Sequence, residues 1–164
     1  MLITLDYFNR VTGDYNSELD QYKTDAIKAS QEIIEAYLGF LIEPKNYDMT
    51  IISYSRRQVK LPAPAISILS IEGTNATYYT NYNYIHFSDD VYGLTLRIQF
   101  TGGLNPVPSI ILLACVEIAS LKLAEKGLNV AFSGLQMPDG MGYQRYNYTN
   151  YEKFLKPLEH YRIR

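Results

Sequence analysis

The chain has 164 residues, 47% hydrophobic and 20% charged, with a formal net charge of −2. That length suits one domain, or one carrying a sizeable insertion, and its apolar share excludes a disordered polypeptide. One cysteine excludes a disulfide framework, two histidines leave little material for a metal site, and no cofactor is implied. No basic stretch followed by an apolar run opens the chain. The longest apolar run, 110–116, is far too short to cross a bilayer, so a soluble, cytosolic domain without membrane contact is expected.

Near the N-terminus, Thr4 is placed to cap a short helix over about 4–10, with Asp6 in its first turn and Thr12-Gly13 ending it. Ser17 to Asp20 has the form of a capping box and opens a long helix over about 17–38. Its apolar positions Tyr22, Ala26, Ala29, Ile33 and Tyr37 recur at spacings of three and four, with Ile27, Ile34 and Leu38 widening the stripe. Lys23, Lys28, Glu32 and Glu35 take the polar side, and Gly39 closes the helix.

The centre, about 47–100, is rich in Ile, Tyr, Thr and Val and reads as a small antiparallel sheet or pair of hairpins. Tyr47, Met49 and Ile51 alternate, as do Ile66 and Ile68. Leu94, Leu96, Ile98 and Phe100 alternate with Thr95, Arg97 and Gln99, the pattern of a strand with one buried face. Asn75, Asn81 and Ser88-Asp89-Asp90 mark expected turns.

After Gly102-Gly103, Pro108 leads into a helix over about 108–126 that is apolar on most sides and so belongs in the middle of a bundle. Leu112, Cys115, Val116, Ala119 and Leu123 are its expected buried residues. Residues 128–149 show no sustained periodicity and read as a long, mobile loop. Tyr151, Phe154, Leu155, Leu158 and Tyr161 form a last helical stripe over about 150–161, interrupted at Pro157. The expected fold is therefore α+β and predominantly helical. It is a single domain with a four-helix bundle-like core, an inserted antiparallel sheet and an extended C-terminal arm.

Charge is uneven along the chain: eight acidic and three basic residues through Glu43, against five basic and two acidic over 145–164. An acidic face and a basic tail suit a subunit that docks onto partners, and the near-neutral total opposes tight nonspecific DNA binding. Tyrosine occurs 16 times and tryptophan never. Tyrosine is enriched where proteins meet, and it also sits half-buried on strands.

Catalytic material is sparse. His86, Ser88, Asp89 and Asp90 supply the residue types of a hydrolase triad, but a triad draws its members from separate elements, with histidine bridging the others. Neighbours on one strand and its turn point to different sides. Cys115 sits among aliphatic residues with no cation to activate it, and His160 has no second metal ligand within helical reach. The residues thus favour an interaction protein, with a small hydrolase using His86 and Asp89 or Asp90 as the competing reading.

The order of several segments is more specific. Ile3 to Phe8 before a turn is followed by the helix ending Ile33 to Gly39, then by Pro64 to Ile71, and then by Phe100-Thr101-Gly102-Gly103 with Val107-Pro108 entering the apolar helix. Together with the closing stretch 151–163 this resembles the head-to-tail connector (adaptor) proteins of long-tailed bacteriophages. The resemblance implies a non-enzymatic structural protein of the virion neck, assembled in the host cytoplasm as a homo-oligomeric ring, typically twelve-fold. It implies the portal protein and a downstream neck or tail protein as partners, with double-stranded DNA passing through the channel without sequence-specific binding. The portal-gripping part would be 151–164, with Tyr151, Phe154, Leu158, Tyr161, Arg162, Ile163 and Arg164 as docking residues. A neck stopper or tail-completion protein is the alternative station.

Overall fold

The computed structural model describes residues 1–128 and 151–163. The chain is α+β and divides into two compact units, one joining residues 1–38 to the described part of 108–162, the other formed by 39–107 with Ile163. The expected loop over 128–149 lies, from 129 on, outside the described residues, as does Arg164.

In the helical unit, α1 (Leu5–Thr12) starts where Thr4 Oγ1 accepts the Tyr7 N–H and ends at Gly13, whose φ of 74° lets its N–H reach the Asn9 carbonyl. The capping box does not form. Asn16 instead caps a 3-10 turn (Ser17–Leu19) by accepting the Glu18 N–H, and α2 (Asp20–Leu38) follows directly. Lys23, one turn into α2, is fully buried rather than solvated. Its ammonium donates to the Asp14 and Asn16 carbonyls, both at 3.0 Å, and lies 3.3 Å from an Asp14 carboxylate oxygen. That triple contact folds the 14–16 loop back onto α2 and satisfies a charge that would otherwise be costly inside.

The buried stripe of α2 is rotated from the expected one: Lys23, Ala26, Ile27, Ser30, Ile34 and Leu38 face inward. Tyr22 and Tyr37 sit at the flanks instead, where Lys126 and Arg162 lie over their rings at 5.7 and 5.3 Å. A tyrosine keeps its hydroxyl wet there and offers its face to a cation, while smaller side chains let α2 approach its neighbour. That neighbour is α3 (Ser109–Glu125), and the two form the centre of the unit. Within α3, Cys115, Val116, Ala119 and Leu123 are buried as expected, but Leu112 is only half-buried and Ile111 takes its place in the core. Pro108 precedes the helix, and Gly127 at φ 75° ends it. Among the described residues only α2 and α3 are long. The fourth helical segment is one turn, α4 (Glu152–Leu155), continued by a 3-10 stretch (Lys156–Tyr161) with Pro157 near its start.

The strand unit holds six strands in two three-stranded antiparallel sheets. The first sheet has the order β1 (Lys45–Ile52), β6 (Thr95–Gly102), β3 (Ala65–Glu72). The second has β2 (Gln58–Lys60), β5 (Tyr84–Phe87), β4 (Tyr78–Asn81). Leu96, Ile98 and Phe100 on the central β6 are fully buried, as their alternation predicts, whereas Leu94 falls outside the strand and is exposed. The simple alternation read from Ile66 and Ile68 fails. β3 slips register against β6 between Ala65 and Ser67 and again between Ile68 and Ser70, so Ile66 and Leu69 are extra residues that bulge outward.

Gly102 and Gly103 have a steric reason. A Cβ on Gly102 would meet the Phe100 ring at 2.7 Å and the Tyr47 ring at 2.9 Å, and one on Gly103 the Ile42 carbonyl at 2.8 Å. The Tyr47 and Phe100 rings stack at 4.8 Å. In the second sheet, Asn81 ends β4 rather than making the turn. Tyr82 turns instead at φ 53°, while Asn83 is buried and donates to the Leu61 carbonyl.

Candidate functional site

The C-terminal segment carries the residues expected to dock. It is packed on the helical unit rather than extended. Leu158 is fully buried where the 3-10 stretch meets α2 and α3, and it is the one buried residue of α4 and that stretch. Tyr151 is half-buried: its hydroxyl donates to Glu125 at 3.0 Å, and the Lys122 ammonium lies 4.9 Å from its ring centre. Burial pushes the Tyr151 phenol up, and the phenol oxygen beside Lys122 is the main reason that ammonium is pushed up too. Burial also raises the Glu117 carboxyl, with Lys153 opposing the shift.

Phe154 and Tyr161 are half-buried, and His160 packs against the Tyr161 ring at 3.9 Å. The chain becomes extended only at Arg162 (φ −69°, ψ 131°), which is exposed. Ile163, in the strand unit, covers Gly39, where a Cβ would lie 3.2 Å from it. The docking set thus divides in two. Leu158 anchors the segment to the helical unit, and Arg162 is exposed with its guanidinium over the Tyr37 ring. The helical spacing of 154, 158 and 161 was readable as an apolar stripe, but spacing alone cannot say whether the stripe meets this chain's core or another's.

The outer face of the first sheet is a polar ladder across all three strands. Arg97 on β6 makes a bidentate pair with Asp48 on β1, at 2.8 and 3.1 Å, and approaches Glu72 on β3 at 4.0 Å. Gln99 donates to Asp48 and accepts from Ser70, and Thr101 donates to Asn46. The hydrogen bonds from Arg97 and then Gln99 hold the Asp48 carboxyl down to about 2. Much of the tyrosine content of the strand unit stands in solvent: Tyr54, Tyr79 and Tyr92 are 81%, 63% and 64% exposed.

The hydrolase residues are not assembled. His86 on β5 stacks flat on Tyr79 at 4.7 Å, while Ser88 donates its hydroxyl to Asp89, and Asp90 accepts the Tyr92 N–H. The serine is therefore paired with a carboxylate rather than with the imidazole a nucleophile would need. Cys115 is buried in α3 with its thiol pushed up to about 12, and its Sγ lies 3.9 Å from the Ile27 carbonyl. Among the described residues no group of three His, Cys, Asp or Glu side chains is placed to hold a metal ion, and no helix is long and apolar enough to cross a membrane.

No family model matches the sequence, and no curated protein matches it. Among solved structures, the fold is similar to that of a chain from the neck of an empty GTA particle computed with C6 symmetry. The TM-score is 0.61 at 12% identity, over 99% of this chain and 91% of that one. At that identity the likeness is one of fold.

Proposed function

We propose that this chain is a non-enzymatic structural subunit of the neck of a phage-like particle. The observation that carries the reading is the fold shared over 99% of the chain with a neck protein. Within the neck, the reading places the subunit in a homo-oligomeric ring, twelve-fold by the connector resemblance, below the portal protein and above the next neck or tail component. Double-stranded DNA passes through without sequence-specific contacts. The packed C-terminal segment then acts as a docking platform: Leu158 fixes it to the subunit, while Arg162, with Tyr161 and Ile163 beside it, meets the portal. Arginine suits that role because it pairs with carboxylates in a bidentate geometry.

Particles assembled without this chain test the proposal. DNA-filled heads that lack tails are the expected result, and fully tailed, infectious particles refute it. Imaging the neck with this chain labelled then separates a connector, in contact with the portal, from a stopper or tail-completion protein further down.

A further inference from the structure

The two edges of the first sheet are built differently. β3 is blunted by its bulges at Ile66 and Leu69, a common protection against unwanted strand pairing. β1 has no such device: its eight residues pair with β6 in unbroken register. Beyond β1 the Ser53 N–H donates to the Leu94 carbonyl at 2.9 Å, which sets the alternation of the ladder. Tyr47, Met49 and Ile51 aim their main-chain groups at β6, and Asn46, Asp48, Thr50 and Ile52 aim theirs at the open side. Those outward groups have no hydrogen-bond partner among the described residues.

Side chains along the edge add a second sign. Tyr47, Met49 and Ile51 are only half-buried, whereas Phe100, Ile98 and Leu96 opposite them are fully buried. The apolar face is complete at the centre of the sheet and unfinished at this edge. The Asp48 charge is already neutralised by Arg97, while Lys45 is exposed with no carboxylate in ion-pair reach among the described residues.

We propose that the open edge of β1 receives an extended strand from a different polypeptide, apolar at alternate positions beside Met49 and Ile51, with a carboxylate beside Lys45. Main-chain hydrogen bonds supply the attachment, and the alternation and the charge set its register. Among the described residues of this chain, the strands with that alternation are already paired in its own sheets. On the reading above, a neighbouring neck component supplies the strand. Only the donor's identity rests on that reading, and the free chain tests the edge itself.

The experiment follows amide exchange in the full-length chain by NMR, with a synthetic peptide as long as β1, alternating Thr and Val and ending in Glu. At about 1 mM peptide, a weak-binding regime, the amides of Asn46, Asp48, Thr50 and Ile52 should exchange about tenfold more slowly. The amides facing β6 should not change. The same peptide N-methylated at alternate positions should give no protection. Lys45→Glu should weaken the effect, and a peptide ending in Lys should restore it. Thr50→Pro should abolish the effect without lowering the melting temperature, since that N–H makes no bond in the free chain. Absence of slowing at the four amides overturns the proposal, as does equal slowing along β3. Slowing that rises with protein concentration alone makes a second copy the occupant and also overturns it.

Discussion

Replacing Leu158 by Ala asks whether the C-terminal segment is held to the helical unit by one side chain. Leu158 is fully buried, and no other residue of α4 or the 3-10 stretch is. The substitution removes three carbons, worth about 0.8 kcal/mol each in transfer, or about 2.4 kcal/mol together. Cavity formation raises Leu→Ala losses to about 2–5 kcal/mol where the surroundings are rigid. Here α4 has four residues and the 3-10 stretch six, so the site can settle into the vacated space and the cost stays near about 2.5 kcal/mol. Because the segment is short, that loss should appear as local opening rather than global unfolding.

The amides that close its turns are Phe154 and Leu155, which donate to the Tyr151 carbonyl, and Arg162, which donates to that of Glu159. At one decade per about 1.4 kcal/mol, their exchange should accelerate roughly 60-fold while the amides of Ile111 and Val116 keep their rates. Unchanged exchange at 154, 155 and 162 would refute Leu158 as the anchor. An equal acceleration in α3 would show that the segment unfolds only with the whole unit, and a docking platform could then not move separately from it.

Lys23→Ala should destabilise the helical unit by about 3 kcal/mol in urea titration, because it leaves the Asp14 carboxylate and two carbonyls without their cation; a loss under about 1 kcal/mol would mean that water replaces it freely. Asp48→Asn should flatten the acid limb of the stability curve. In the folded chain Asp48 stays ionised down to about 2, against a usual 3.8. Between those values the unfolded chain binds the extra proton, so stability is present above 3.8 and drains away as the pH falls. An unaltered acid limb in the Asn variant would show that the ladder adds nothing. Cys115 should resist a thiol reagent at pH 8 in the folded chain and react at once in denaturant, since burial holds its thiol up to about 12. Rapid native labelling would contradict that burial.

Local signals were legible wherever one residue or one period decides the outcome. Thr4 and Gly13 bracket α1, Gly39 and Gly127 stop α2 and α3 at positive φ, and the alternation of Leu96, Ile98 and Phe100 names the buried face of β6. That His86 and Ser88 take different partners also followed from their neighbourhood, because residues on one strand and its turn diverge.

Whatever needs a second surface had to wait for the tertiary structure. Periodicity fixes that α2 has an apolar stripe, but not which edge of the stripe faces α3. The tyrosines at 22 and 37 yielded that place to Ile27 and Ile34 because rings with polar tips stay at the flank. Lys23 reads as a solvated charge until the 14–16 loop folds over it, and Ser17 reads as a cap until Asn16 takes the role. The bulges of β3 leave no trace in its alternation, since register belongs to a pair of strands and not to one. For the same reason the chain alone determined that residues 151–163 carry an apolar stripe beside a basic edge, while only packing decided that Leu158 turns inward and Arg162 outward. A stripe specifies that it must be covered, and the covering surface is a property of the folded molecule.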